Sequence, residues 1–100
     1  MKRFEIVKDR YRKTRGGYSR ILDVSCSSCS NHICFYQKDG PGILKRLYTD
    51  RIHEYQKASE LVCQKCKSIL GVYYIYQKEM RPAYRLFIGA VKKKILKNNK

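Results

Sequence analysis

The chain has 100 residues and a formal net charge of +15, from 23 lysine and arginine residues and eight aspartate and glutamate residues. This length suits one small domain, and no apolar stretch approaches the roughly 18 residues that a membrane span needs. Charged residues recur directly after Met1, so the sequence lacks the apolar core of a secretory signal. The composition therefore argues against a membrane protein, a secreted enzyme and a large catalytic scaffold. It favours an intracellular, cytoplasmic protein with a polyanionic partner.

The first third of the chain predicts short strands around a cysteine pair. Residues 4–7 alternate between apolar and polar side chains, which predicts a short strand, and residues 8–20 are polar. Residues 21–25 predict a strand that enters the first Cys-x-x-Cys sequence, and residues 33–37 predict the strand that leaves it.

The middle of the chain repeats this pattern after a turn. The sequence Lys-Asp-Gly-Pro-Gly at 38–42 predicts a tight turn. A short helix over 42–48 and a strand over 44–52 are both compatible with the spacing of the apolar residues that follow. Residues 60–62 predict a strand entering the second Cys-x-x-Cys sequence, and the β-branched and aromatic run at 70–76 predicts the strand leaving it.

The last third predicts one more strand. Arg81-Pro82 interrupts the chain, residues 84–88 predict a strand, and residues 90–96 predict a helical turn before a lysine tail. We expect most of the tyrosines at 73, 74, 76 and 84 to pack in the small core. The fold class predicted is mostly β.

Four of the five cysteines form two pairs, Cys26-Ser-Ser-Cys29 and Cys63-Gln-Lys-Cys66. Each pair can place two sulfur atoms within about 2.3 Å of one ion, and four thiolates close a tetrahedron without an open position. This arrangement predicts a structural Zn²⁺ site. The 33 residues between the pairs exceed the roughly 15–20 of a usual zinc ribbon, so the ion would join two knuckle hairpins separated by an insertion.

Other uses of the cysteines remain open. Disulfides are disfavoured by the odd number of cysteines and the missing secretory signal. A redox Cys-x-x-Cys pair is less consistent with two such pairs in one short chain. A local site of Cys26, Cys29, His32 and Cys34 would leave the second pair unexplained. We therefore expect Cys34 to be a small buried apolar residue, and we expect neither His32 nor His53 to be a ligand.

The positive charge is concentrated at both ends. Residues 1–20 contain eight basic residues and two acids, and residues 92–100 contain five lysines and no acid. We therefore divide the chain into a basic N-terminal arm at 1–20, a zinc-binding β domain at 21–91 and a lysine-rich tail at 92–100. Basic arms beside a compact body are typical of proteins that neutralise phosphates.

Basic and aromatic residues alternate in the N-terminal arm, which suits phosphate contact together with base stacking. The 38–46 segment could also hold a phosphate, although it lacks the spacing of a P-loop. We expect phosphate contacts from the basic residues of these segments, and base stacking from two tyrosines. The candidate nucleic-acid-binding residues are Arg10, Tyr11, Arg12, Lys13, Arg15, Tyr18, Arg20, Lys45, Arg46, Lys92, Lys93 and Lys94.

Two sequence segments resemble known families. The double Cys-x-x-Cys arrangement around Tyr-Gln-Lys-Asp-Gly-Pro-Gly at 36–42 resembles small, uncharacterised prokaryotic zinc-ribbon-like proteins, a resemblance that implies no activity. The segment from Cys63 to Gly71 is similar to the Yippee-like zinc domains. That similarity implies a β-tent fold with zinc at Cys26, Cys29, Cys63 and Cys66. The spacing between the pairs is shorter than in that family, and the basic arms are not part of its pattern.

The sequence thus predicts a small, mostly β, zinc-held domain that binds nucleic acid and is not an enzyme. RNA is preferred over DNA because no recognition helix for a major groove is evident, and ribosomal RNA is a special case. No small-molecule substrate and no membrane are expected. The alternatives are a DNA-binding transcription accessory and a zinc-held protein-interaction module.

Overall fold

The computed structural model of the chain describes residues 6–53 and 55–96. One short helix, α1 (Arg10–Thr14), precedes seven strands, and a single 3-10 turn at Thr49–Arg51 follows the third strand. The mostly β class predicted from the sequence is confirmed. The strands are β1 (Ser19–Cys26), β2 (His32–Asp39), β3 (Arg46–Tyr48), β4 (Glu60–Val62), β5 (Ile69–Tyr76), β6 (Arg81–Leu86) and β7 (Val91–Ile95).

The strands form two antiparallel sheets. The first sheet has the order β2-β1-β7, and the second has the order β3-β6-β5-β4. The β1–β2 hairpin turns at the first cysteine pair and the β4–β5 hairpin turns at the second. Each sheet therefore contributes one of the two hairpins that the sequence predicted.

The core lies between the two sheets. Leu22 and Val24 of β1 and Tyr36 of β2 pack with Leu47 of β3 and Tyr84 of β6. These side chains are at most 3 % exposed. Burial of this kind contributes about 1.5–3 kcal/mol for each large apolar side chain, so this cluster is the main stabilising contact between the sheets.

The structure corrects three predictions about local structure. The predicted helical turn at 90–96 is wrong, because residues 91–95 form β7 at the edge of the first sheet. Residues 42–48 do not form a helix, and residues 44–52 do not form one strand. Arg46–Tyr48 is β3, a 3-10 turn follows it, and Ile52 makes an isolated bridge to Tyr36. Most of the tyrosines at 73, 74, 76 and 84 were expected in the core, but of these four only Tyr84 is buried.

The predicted terminal arms lie partly outside the described residues. The described residues do not include 1–5 or 97–100. The start of the predicted 4–7 strand and the end of the predicted tail therefore lie outside them. Ile6 and Val7, the described part of the predicted strand, belong to no strand. The described part of the N-terminal arm holds α1 and the start of β1. The described part of the C-terminal tail lies mostly in β7.

Helix α1 begins at a specific cap. The Asp9 carboxylate accepts hydrogen bonds from the backbone N–H groups of Tyr11 and Arg12, which satisfies two donors that a helix start leaves unpaired. The described residues contain no helix with the length and apolarity required to cross a bilayer.

Candidate metal centre and nucleic-acid interface

The sulfur atoms of Cys26, Cys29, Cys63 and Cys66 lie within 4.8 Å of one another. The Cys26 and Cys66 sulfurs are 3.6 Å apart, and the Cys29 and Cys63 sulfurs are 3.5 Å apart. A tetrahedral ion with metal–sulfur bonds of about 2.3 Å needs sulfur separations of about 3.8 Å. All five cysteines of the chain are free of disulfides. The four sulfurs therefore form a site that could hold a metal ion.

Both cysteine turns have the same backbone geometry. In the first, the Cys26 N–H donates to Asn31 and the Ser30 N–H donates to the Cys26 carbonyl. In the second, the Cys63 N–H donates to Ser68 and the Lys67 N–H donates to the Cys63 carbonyl. Ser30 and Lys67 both have a φ of 65°, in the left-handed region that closes a tight turn. The repeated strand, knuckle and strand seen in the sequence is therefore repeated in the structure.

In the two cysteine turns, backbone N–H groups and the Ser68 hydroxyl donate hydrogen bonds to the sulfurs. The Ser68 hydroxyl and N–H lower the pKa of Cys66 to about 6, and the Cys66 N–H lowers the pKa of Cys63. At Cys29, the Asn31 N–H favours the thiolate, but burial and the neighbouring thiols outweigh it and raise the pKa to about 11. Four crowded sulfurs cannot all carry charge without a counterion, so a bound cation would stabilise this arrangement.

The other candidate ligands lie outside this group. Cys34 is buried in the core, and burial raises the pKa of its thiol to about 12. The thiol is therefore protonated at neutral pH and is a poor nucleophile. The His32 ring bonds the Asp23 carboxylate at 2.6 Å, and His53 is not part of the sulfur cluster.

Several candidate nucleic-acid residues in the N-terminal segment contact the body of the protein. The Arg15 guanidinium bonds Glu79 at 2.8 Å and the Tyr48 hydroxyl at 3.1 Å. Arg12 donates to Ser19, and the Tyr11 ring lies 4.1 Å from the Arg81 guanidinium. Arg12 therefore holds α1 to β1 of the first sheet, while Tyr11 and Arg15 hold it to the second sheet.

The remaining candidates are more exposed. Arg10 and Lys13 are exposed on α1, and the Arg20 guanidinium lies over the half-exposed Tyr18 ring. The three lysines of β7 are exposed as well: Lys92, Lys93 and Lys94. Because β7 is a sheet edge, its lysines would also discourage pairing with another chain.

A recess of about 440 Å³ brings some of the predicted residues together. It lies between the end of α1 and the 41–46 loop, and its lining includes the cations Arg15, Lys38, Lys45 and Arg46. Burial, Arg20, Lys93 and Arg15 lower the pKa of Lys38. The described acid in the lining, Asp39, is already paired with Arg51. Arg15 is paired with Glu79, so the recess gathers three cations that form no ion pair with a described carboxylate: Lys38, Lys45 and Arg46.

The sequence did not predict two buried arginines, Arg51 and Arg81, whose ion pairs join separate segments of the chain. Arg51 is buried and bonds Asp39 at 2.8 Å and Asp9 at 2.6 Å. Arg81 is also buried and bonds Asp50 and Glu79. Neither arginine lies in a distinctive motif, so the sequence alone did not distinguish them from surface cations.

No family model, curated protein or solved structure matches the chain. The conclusions about function therefore depend on the residues and their geometry.

Proposed function

We propose that the protein is a non-catalytic, zinc-held nucleic-acid-binding protein whose preferred partner is RNA. Zinc is supported by the donor set, because four soft thiolates at tetrahedral spacing are typical of structural zinc sites. Cys26, Cys29, Cys63 and Cys66 would hold the ion, and the ion would join the two hairpins without taking part in a reaction. Free thiols favour a reducing compartment, which supports a cytoplasmic location.

The separation of charges carries the proposal of nucleic-acid binding. Of the described acids, Asp9, Asp39, Asp50 and Glu79 bond the arginines at 15, 51 and 81, and Asp23 bonds His32. The other described lysines and arginines form no ion pair with a described carboxylate. Glu60 is exposed and takes part in none of these pairs. The described surface thus presents many more unpaired cations than unpaired acids, an arrangement that suits phosphate binding.

RNA is favoured over duplex DNA by the described elements. The helix α1 has five residues, and its Tyr11 ring packs on Arg81 of the second sheet. The described residues contain no longer α-helix that could enter a major groove. Strands with exposed aromatic and basic side chains suit RNA, with ribosomal RNA as a special case. Co-sedimentation with ribosomal particles from a native extract tests that special case.

A salt titration tests the proposal. We expect affinity for a structured RNA to fall at least about tenfold between 50 and 200 mM salt, the loss for about two neutralised phosphates. The triple variant Lys92→Gln, Lys93→Gln and Lys94→Gln should bind more weakly and show a shallower salt dependence. Lys57→Gln, at an exposed lysine away from these groups, is the matched control.

The same experiments separate the competing functions. Affinity that does not change with salt would refute phosphate contact. A defined duplex DNA that outcompetes structured RNA would favour a transcription accessory. A protein complex that survives thorough nuclease treatment would favour a protein-interaction module. Elemental analysis should give one zinc ion per chain, and Cys63→Ser should abolish its binding.

A further inference from the structure

The outer face of the second sheet carries several arginine and tyrosine side chains. In antiparallel pairs, residues opposite each other point to the same face, and so do alternate residues along a strand. Arg85 lies opposite both Arg46 and Val72, and Ala83 lies opposite Tyr48 and Tyr74. Tyr76 lies opposite Arg81 and shares this face. The other face of the sheet carries Leu47 and Tyr84 towards the core.

One half of this outer face is closed. The Arg81 guanidinium lies 3.8 Å from the Tyr48 ring and 4.1 Å from the Tyr11 ring, and it is 3 % exposed. Asp50 and Glu79 neutralise its charge. Helix α1 covers this half through Tyr11, so Arg81 stabilises the fold and is not available to a partner.

The other half has the same chemistry but remains open. The Arg46 guanidinium lies 4.1 Å from the Tyr76 ring, and its Nε donates to the Tyr74 hydroxyl at 2.9 Å. Neither Arg46 nor Arg85 pairs with a described carboxylate. Arg85 is exposed, while Arg46, Tyr74 and Tyr76 are half-buried. Arg46 therefore lies over an aromatic ring and is not neutralised by a described carboxylate.

A groove of about 810 Å³ runs over this open half, and we call it the sheet groove. All the charged residues in its lining are cations: Lys45, Arg46, Lys78 and Arg85. Phe87 also lines the groove and is 49 % exposed. The groove combines aromatic surface with uncompensated positive charge, so its occupant should offer flat rings and negative charge together.

We propose that the sheet groove binds unpaired nucleotides of a single-stranded nucleic acid. This inference rests on the proposed function and locates the binding site within it. Bases stack on Tyr74, Tyr76 and Phe87 and on the plane of Arg46, because every base offers a face to an aromatic ring or a guanidinium. Lys45, Lys78 and Arg85 contact the phosphates.

The exposed aromatic surface of the sheet groove favours a single strand over a duplex or an acidic peptide. A duplex keeps its bases stacked on each other and presents only its backbone and groove edges, so it leaves the rings of a sheet face without a partner. An acidic peptide would satisfy the cations but would not use the aromatic surface. A sheet of this kind accommodates about two or three stacked bases.

Binding of an eight-nucleotide oligouridylate tests the proposal, with an RNA duplex of eight base pairs as the competitor. We expect the single strand to bind more tightly than the duplex. An oligodeoxyuridylate of the same length, which lacks only the 2′-hydroxyl groups, should bind as well, because the proposed contacts are to bases and phosphates. A 2-aminopurine placed within the oligonucleotide should lose fluorescence on binding, because stacking on an aromatic ring quenches it.

Matched variants locate the site. Tyr74→Leu and Phe87→Ala should each weaken oligouridylate binding about tenfold, within the range for loss of one stacked base. Tyr73→Leu is the control, because Tyr73 is exposed on the same strand but points to the opposite face. Arg85→Gln should weaken binding and make its salt dependence shallower, while Lys57→Gln should not.

Different results would refute the sheet groove as the binding site and the proposed function as a whole. If structured RNA binds with the expected salt dependence but Phe87→Ala and Arg85→Gln bind oligouridylate as the unaltered protein does, the sheet groove is not the site. Preference for the duplex, or unchanged 2-aminopurine fluorescence, also overturns the inference. If neither RNA binds, both proposals fail. Circular dichroism and zinc content establish that each variant is folded, and Phe87 and Arg85 are exposed enough to change without loss of the core.

Discussion

Replacement of Arg51 by methionine should cause a large loss of stability, although arginine is usually a surface residue. Its side chain is 1 % exposed and bonds the Asp39 carboxylate, which is 4 % exposed. Burial alone would lower the pKa of Arg51, but hydrogen bonds to Asp9 and Asp39 outweigh burial and raise it. The guanidinium therefore stays charged, and Arg51→Met would leave Asp39 as a buried carboxylate without its cation.

The expected loss comes mainly from Asp39. Removing one partner of a buried ion pair costs about 3–5 kcal/mol, because the remaining charge is uncompensated. Asp9 is 33 % exposed and Asp50 is 49 % exposed, so solvent compensates most of their lost contacts. We therefore expect a loss of about 4 kcal/mol in the free energy of unfolding. That is a large part of the roughly 5–15 kcal/mol that stabilises a typical domain.

Denaturant unfolding at pH 7 in zinc-saturated buffer measures this loss. The double variant Arg51→Met and Asp39→Asn removes both charges, so it should be at least about 2 kcal/mol more stable than Arg51→Met alone. Arg85→Met, at an exposed arginine without a described acidic partner, should change stability by less than about 0.5 kcal/mol. A loss below about 1 kcal/mol for Arg51→Met, or a double variant no more stable than the single one, would refute the reasoning.

Three further predictions concern other residues. In metal-free protein at pH 7, mass spectrometry should find Cys66 alkylated first and Cys34 protected, since their pKa values are about 6 and about 12; equal rates would contradict this. Asp9→Asn should lower the free energy of unfolding by about 1 kcal/mol at pH 7. The hydrogen bond from Arg51 lowers the pKa of Asp9 to about 2, so its stabilisation exists above about pH 4 and disappears as the pH falls through 2. The stability difference between the two proteins should therefore shrink over that range, and a constant difference would count against it. Gly40→Ala should lower the free energy of unfolding by at least about 2 kcal/mol more than Gly42→Ala does, as measured by thermal unfolding. Both glycines have positive φ, but a Cβ at Gly40 would lie 2.3 Å from the Arg15 carbonyl oxygen, whereas Gly42 faces open space; equal costs would contradict the steric argument.

The sequence was sufficient to predict the two cysteine hairpins. Cys-x-x-Cys fixes the local turn, and the β-branched and aromatic residues beside each pair favour strands. The convergence of Cys26 and Cys29 with Cys63 and Cys66 followed from the preference of one ion for four thiolates. These features depend on spacing within a few residues, so a single sequence reveals them.

Features that depend on distant residues were not predictable in the same way. The burial of Arg51 and Arg81 requires acids from separate segments, which no local pattern shows. The strand at 91–95 was mistaken for a helical turn because an edge strand with lysines on both faces has no alternating pattern. The sequence predicts that most of the tyrosines at 73, 74, 76 and 84 pack in the core, because composition does not reveal which face of a sheet is covered.

The two packed sheets are joined at opposite ends of β2 by two different kinds of contact. Thiols meet where β1 ends and β5 begins, while Arg51 meets Asp39 at the far end of β2. A chelator acts only at the thiols and leaves the Arg51–Asp39 ion pair in place. Loss of the ion should therefore loosen the cysteine end of the two sheets, while the apolar core and the Arg51–Asp39 pair keep the rest packed.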